Sequence, residues 1–316
     1  MLRALLHHLS AALPGQCALC QAWPSRPLCH ACLARFARPC PRCLQCARPL
    51  PAGVTRCGAC LREPPPLDLT LRDPAITAEW ADKLGGTSLA PGHLRLPRGN
   101  AVENIEGFDS GAWWVQDLAA SLPARLLGPG EGRRVLDLCA APGGKTLQLA
   151  AAGWHVTALD ASAKRLERMR ANLDRTGLSA DLVAADALTW EPGAPFDAVL
   201  IDAPCTATGT CRRHPDVLHR IGARQIAELA ELQAALLARA IAWVKPGGRL
   251  VYSVCSLERA EGEAQAAGVA LTPDPVRADE LPAGLVPTPD GWVRTDPAML
   301  AEAGGLDGFF IARWRV

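Results

Sequence analysis

The run FDAVLID, Phe196 to Asp202, is followed at once by the tight segment APC, Ala203 to Cys205. Ala198, Val199, Leu200 and Ile201 follow one another with no polar residue between them, so a strand built from them has no face to give to water. Such a strand belongs inside a parallel sheet with helices above and below. The chain from residue 131 onward agrees, because strand-like and helix-like stretches alternate there as in a doubly wound, mostly parallel α/β sheet. Strands are expected over 134–138, 154–160, 181–185, 196–202 and 249–253, and a last one over 309–314, antiparallel at the edge or inserted late. Helices are expected over 143–152, 163–175 and 225–244, the last ended by KPGG. Open sheets of this class carry their chemistry outside the carboxyl ends of the strands. Asp202 and Cys205 follow one strand and Cys255 follows the next, so an acid and two thiols are expected together, with Pro204 restricting the loop.

Ahead of the sheet the chain changes character. Of 13 cysteines, nine lie between Cys17 and Cys60, and eight of them form four pairs with two residues between partners. Cys17 pairs with Cys20, Cys29 with Cys32, Cys43 with Cys46, and Cys57 with Cys60, spaced CALC-x8-CHAC and then CLQC-x10-CGAC. Each pair presents two sulfurs to one ion, and two pairs complete a tetrahedron, so two structural four-cysteine zinc sites are expected. A segment this short buries too little apolar surface to fold alone, and metal supplies the folding energy. Cys40 is the odd ninth cysteine and could take the place of Cys43 by a register shift. Residues 1–63 hold eight Arg and one Glu, a net +7, while the remainder is −6, for +1 overall. A basic module on an acidic body points to nucleic acid, although two thiolate quartets would cut the local charge to about +3. No run of 18 apolar residues exists, so no membrane span is expected. The opening MLRALLHHLSAALPG reads as a short amphipathic helix rather than a signal peptide, because two histidines interrupt its apolar core. A cytoplasmic location follows, where thiolates bind metal rather than form disulfides.

Three domains result: a double zinc ribbon over 1–63, a linker with a small α+β cap and a leading helix over 64–130, and the sheet domain over 131–316. Pro64, Pro65 and Pro66 form the linker. Alternation in LDLTLRD predicts a strand, Ala75 to Leu84 a helix closed by Gly85-Gly86, and HLRL over 93–96 a second strand. The stretch from Gly107 to Leu127, with GAWWVQDLAASLPARLL, reads as one helix leading into the sheet.

The turn after the first sheet strand, DLCAAPGGKT, is glycine-rich and opens a helix, so it offers close backbone approach and free amide donors. It is neither a Walker loop nor a clean GxGxxG, which disfavours a nucleoside triphosphate. Asp160 ends the second strand 17 residues after Gly143, where a carboxylate accepts from both ribose hydroxyls. Asp186 follows the third strand, placed for an adenine edge. The plainer alternative is that both acids cap the helices that follow.

Taken together, DLCAAPGGKT, IDAPCTATGT and VYSVCSLE resemble the S-adenosylmethionine-dependent RNA cytosine-carbon-5 methyltransferases, in particular the bacterial enzymes of small-subunit ribosomal RNA. GAWWVQDLAA, CRRHPDV and LDGFFIARW match as well, and the resemblance covers about residues 68–316. It implies a Rossmann-like class I fold, S-adenosylmethionine as cofactor and RNA as substrate, ribosomal or transfer. A scaffold role for a catalytically weak relative is the reading from another class. Cys139, Ala140, Ala141, Pro142, Gly143, Gly144 and Lys145 would wrap the methionine part, Asp160 the ribose and Asp186 the adenine. Cys255 would be the nucleophile, Asp202 would contact the target base, Cys205 would assist product release and Lys145 would orient the reacting groups. DNA enzymes of this chemistry attack instead with the cysteine of the Pro-Cys pair, here Cys205, but their Glu-Asn-Val motif does not occur where it would be needed. The chemistry of the residues agrees: a thiolate adding at carbon 6 turns the ring into an enamine whose carbon 5 can attack a methyl group. Arg212, Arg213 and His214 are expected to hold phosphates. A monomer is expected. The family's Thr before the second cysteine is Val254 here, and its Pro-Glu-Glu-Asn-Glu-like stretch is ERAEGE. The segment over residues 10–68 resembles the zinc module of competence-protein-F-type phosphoribosyltransferases, standing where relatives carry a helical RNA-binding domain.

Overall fold

The computed structural model describes residues 65–97, 99 and 101–316. The eight cysteines expected to bind zinc, Cys17, Cys20, Cys29, Cys32, Cys43, Cys46, Cys57 and Cys60, lie outside the described residues, as does Cys40. Among the described residues no group of three or more His, Cys, Asp or Glu side chains is arranged to hold a metal ion. Among the described residues, too, no helix is long and apolar enough to cross a membrane.

The cap begins with β1 (Leu67–Leu71), followed by helix α1 (Thr77–Leu84) and β2 (His93–Leu96). Gly85 ends α1 in the left-handed conformation, as its position after the last apolar residue predicts. The expected helix over 107–127 is a correction. Trp113–Val115 forms a third strand, β3, antiparallel to β1, and only Leu118–Arg125 is helical, as α2. Two causes combine. Trp113 is fully buried against β1, and aromatic side chains gain more on a pleated surface than in a short helix. Asp117 then caps α2, its Oδ1 accepting from Ala119 N at 2.9 Å. Asp68 on β1 ties the cap strands to α2: it holds Arg95 in a two-pronged ion pair at 2.6 and 2.7 Å and accepts from Leu118 N at 3.0 Å. Burial works against its charge, but Arg95 and His93 outweigh it and hold the Asp68 carboxyl well below its ordinary range.

The main sheet then forms from β4 (Arg134–Leu138), α3 (Gly144–Ala151), β5 (His155–Asp160), α4 (Ala163–Thr176), β6 (Asp181–Ala184) and β7 (Phe196–Asp202). After it come the short α5 (Val217–Arg220), the long α6 (Ala223–Ala242), β8 (Val244–Val254) and α7 (Glu263–Ala267). Two-residue strands β9 (Thr272–Pro273) and β10 (Val293–Arg294) precede β11 (Phe310–Arg315). The sheet order is β10-β11-β8-β7-β4-β5-β6, with β9 also on β11. The pairs β4–β5, β5–β6, β4–β7 and β7–β8 are parallel, and β11 runs antiparallel to β8. Thus β11 is the antiparallel late insertion, with short strands beyond it, rather than a bare edge. KPGG does not simply end a helix: Lys245–Gly248 lies inside β8 as a bulge, since Phe196 pairs with Val244 and Ala198 already with Arg249.

The chain winds outward through β4, β5 and β6, then returns to place β7 beside β4. This reversal is where an open sheet splits to form a crevice. β7 is covered on both faces, as its composition requires. Val199 and Ile201 join α6 residues Leu236 and Leu237 in one core, while Ala198 and Leu200 face Leu122 and Leu127 in the other. At about 1.5–3 kcal/mol for each fully buried aliphatic side chain, this strand anchors the loop that follows it.

Candidate functional site

Two loops leave the sheet at the reversal, one after β4 and one after β7. Cys139 opens the first with φ +62° and Gly143 closes it with φ +107°. Glycine is required at 143 for its backbone angle and because a Cβ there would come within 2.6 Å of Met169. The loop delivers Lys145 in the first turn of α3, where a cation opposes the helix dipole. Its partner offsets this: Lys145 Nζ meets Asp202 Oδ2 at 2.7 Å, across from the end of β7, and lies 5.3 Å from the centre of the Phe309 ring. Asp202 Oδ1 accepts from Ser253 Oγ at 3.0 Å.

The two expected thiols meet. Asp202 on β7 pairs with Ser253 on β8, and the chains leaving these strands bring Cys205 Sγ within 3.4 Å of Cys255 Sγ. The bond to Cys255 and then burial push the Cys205 thiol well above its ordinary pKa, so Cys205 keeps its proton, and either sulfur can donate to the other. Cys139 stays a thiol as well, pushed up to about 12 by burial and the nearby acids Asp202, Asp160 and Asp137. Asp137 itself, wholly buried at the end of β4, is pushed up to about 7 by burial, even though Thr146 Oγ1 donates to it at 2.6 Å. Its Oδ1 has no partner among the described residues.

Asp160 sits at the end of β5, almost fully buried, and accepts from Ala141 N at 3.1 Å and Ser162 N at 2.9 Å. It does not cap α4; Ser162 does. The exposed Arg165 reaches back over this acid, 3.5 Å from Oδ2, and donates to Ala141 O. Asp186 is exposed, and its Oδ1 accepts from Leu188 N at 2.9 Å, closing a turn rather than capping a helix. The acids at 160 and 186, the glycine loop and the amides of α3 thus line the carboxyl ends of β4, β5 and β6. A buried carboxylate with free lone pairs, a glycine loop and an unpartnered acid oxygen at Asp137 suit a group carrying a diol and an ammonium, as S-adenosylmethionine does.

Two expectations change. Arg212 and Arg213 do not present free charge to phosphates. Arg212 meets Asp117 at 2.6 Å, and Arg213 holds Asp307 with its Nε at 2.9 Å and with its Nη2. Only His214 of the three is exposed. Val254 takes no hydroxyl away from the thiols, because its side chain points into the core with Ile201 and Leu236. The sequence reading also missed Glu261, which is fully buried behind both cysteine loops. Its signal was present in ERAEGE, a run of acids too close to a strand end for all of them to face solvent.

Sheet order, the reversal between β4 and β7 and the strand-end acids define a Rossmann-like class I methyltransferase fold. A methyltransferase homolog protein from Pyrococcus horikoshii superposes with TM-score 0.65 at 27% identity over 81% of this chain and 88% of that one. NSun6 from Pyrococcus horikoshii, solved with SFG, gives 0.69 at 21% identity over 81% of this chain and 92% of that one, a likeness of fold. The chain belongs to the 16S rRNA methyltransferase RsmB/F family, whose model matches residues 124–315. Ribosomal RNA small subunit methyltransferase B of Pseudomonas putida is 43% identical over 219 residues, 67% of this chain and 49% of that protein. The protein of the same name from Xylella fastidiosa is 42% identical over 233 residues, 72% of this chain and 53% of that protein. The chain therefore spans about half the length of the curated relatives it matches.

Proposed function

We propose that this protein methylates carbon 5 of a cytosine in RNA, ribosomal RNA foremost, through a transient bond between Cys255 and the base. The observation that carries the reading is the pair of sulfurs 3.4 Å apart beside the Lys145–Asp202 ion pair. Family membership and the names of the relatives support the substrate class. When bound, S-adenosylmethionine supplies an electrophilic methyl group. Asp160 would accept from its ribose and Asp186 from its adenine, the loop from Cys139 to Gly144 would surround its methionine part, and Arg165 would give up Asp160 to the ribose.

The base enters unstacked, since carbon 6 is hidden in a duplex. Cys255 loses its proton and its sulfur bonds to carbon 6, leaving an electron pair at carbon 5. Asp202, with Lys145 behind it, faces ring nitrogen 3 and hands it the proton that Cys255 gave up, which neutralises the charge built there. After the methyl group has bonded to carbon 5, the proton on that carbon must go to a base. Cys205, next to the adduct, takes it as a thiolate, having first released its own thiol proton to solvent. Breaking the carbon–sulfur bond returns the electron pair to Cys255.

An RNA carrying 5-fluorocytosine cannot lose a proton at that carbon, so it leaves the protein bonded to RNA. The adduct should map to Cys255 and disappear in Cys255→Ala. An adduct on Cys205 alone would sink this assignment. Bisulfite mapping of RNA from cells with and without the protein identifies the nucleotide. The spacing of the eight paired cysteines supports two structural zinc ions in the N-terminal module of a cytoplasmic protein. One ion would be held by Cys17, Cys20, Cys29 and Cys32, the other by Cys43, Cys46, Cys57 and Cys60, and metal analysis of the whole chain should find about two per chain.

A further inference from the structure

The sheet sets the strands that lead to the two sulfurs but not the sulfurs themselves. The last ladder bond between the two chains is Ala203 N to Ser253 O at 2.9 Å, and both cysteines lie beyond it. Past that point side chains take over with one carboxylate at their centre; Thr206 Oγ1 also meets Ser256 Oγ at 3.1 Å, and Thr208 Oγ1 accepts from Leu257 N at 3.0 Å. Glu261 is fully buried and bonds the residue that follows each cysteine. Its Oε1 accepts from Thr206 N at 3.0 Å, and its Oε2 accepts from Thr206 Oγ1 at 2.5 Å and from Ser256 Oγ. Gln233, on α6, donates to Oε1 at 3.1 Å and with the same nitrogen to Pro204 O at 2.8 Å. Glu261 is held in turn, since Tyr252 on β8 donates its hydroxyl to the Glu261 carbonyl at 2.6 Å. One backbone tie closes the far side, Gly209 N to Cys255 O at 3.1 Å.

We propose that Glu261 is the positioning residue that sets the distance between Cys205 and Cys255. It touches neither sulfur. It clamps Thr206 and Ser256 into one buried knot, and each of these carries its neighbouring thiol to the meeting point. In the methylation reading, on which the functional half of this proposal rests, the clamp keeps the proton acceptor within reach of the carbon that the nucleophile has activated.

The chemistry of the knot predicts which replacements work. The two donors on Oε1 are nitrogen-bound and cannot reverse, so an oxygen is required there. The close partners of Oε2 are hydroxyls, which can turn and accept; Thr206 N also reaches it, at 3.3 Å, but has its shorter bond to Oε1. Glu261→Gln therefore fits with its oxygen at the first position and its amide nitrogen at the second. Glu261→Ala leaves Thr206 N without an acceptor, leaves Gln233 only Pro204 O, and loosens both loops.

The test measures sulfur proximity without RNA or cofactor. Diamide takes the two thiol hydrogens, becomes a hydrazine and leaves a Cys205–Cys255 disulfide, quantified in the full chain by peptide mass spectrometry. Glu261→Ala should slow this closure at least about tenfold, and cut single-turnover methyl transfer about a hundredfold with little change in KM, as misplacement by an ångström does. Glu261→Gln should restore both to within a few-fold. Ser256→Ala, which frees only the Cys255 side and leaves most of the knot, should fall between them, and it serves if Glu261→Ala does not fold. Unchanged disulfide closure in a folded Glu261→Ala or in Ser256→Ala overturns the proposal, as does a Glu261→Gln protein no better than Glu261→Ala. If closure responds as expected but the unaltered protein transfers no methyl group, the clamp stands and the methylation reading falls.

Discussion

Replacing Asp137 by Asn removes a buried acid while keeping its shape. The Asn oxygen can still accept from Thr146, and its amide nitrogen falls where Oδ1 now has no partner. The magnitude follows from the shift. Burial lifts the Asp137 carboxyl from an ordinary 3.8 to about 7. Between those values the folded protein holds a proton that the unfolded chain has released, so stability falls as pH rises through this window and levels off above it. The stability given up reaches roughly 4 kcal/mol on the alkaline side, of which roughly 2.5 kcal/mol develops between pH 5 and pH 8. Asn cannot titrate. The difference in stability between Asp137→Asn and the unaltered protein should therefore widen by that amount over the same interval, always in favour of the variant. Urea unfolding followed by tryptophan fluorescence, at several pH values and without cofactor, measures it; all other groups cancel in the difference. Parallel stability curves for the two proteins would refute the argument, and a gap that narrows with rising pH would reverse it.

Arg165→Ala should bind S-adenosylmethionine as well as the unaltered protein or up to about fivefold tighter, because an exposed ion pair worth at most about 1 kcal/mol no longer competes for Asp160. Calorimetric titration checks this, and a tenfold loss would mean that Arg165 holds the cofactor instead. Arg212→Ala strands Asp117, already raised by burial and by Asp307, and should cost about 3–5 kcal/mol in urea, with part recovered at acid pH as the carboxyls protonate. An unchanged midpoint would show the pair to be dispensable. Cys205→Ser should still form the Cys255 bond to RNA yet release product slowly, so that protein–RNA adduct accumulates on ordinary cytosine and is seen as a shifted band. Release at the normal rate would remove Cys205 from that step.

Local composition carried much of the architecture. The unbroken apolar run at 198–201 required a strand covered on both faces, and β7 has that setting. The thiols and acid at the ends of β7 and β8 could be expected together because parallel neighbours deliver their carboxyl ends to the same edge. Other features depended on contacts far apart in the chain. Nothing near Trp113 shows that it will pair with β1 rather than continue a helix, and nothing near Lys245 shows that Phe196 will draw the bulge into the sheet. Arg212 and Arg213 read as a basic run, because the carboxylates that neutralise them are at 117 and 307.

By itself the sequence determined the sheet class, the strand ends and the kinds of residue gathered there, since periodicity and turn chemistry act between near neighbours. Only the tertiary structure decided how close the two sulfurs come, which charges are neutralised internally and that Glu261 is buried behind both cysteine loops. Those outcomes depend on three-dimensional distances and on exclusion of water, which side chains remote in the chain establish only when they pack together.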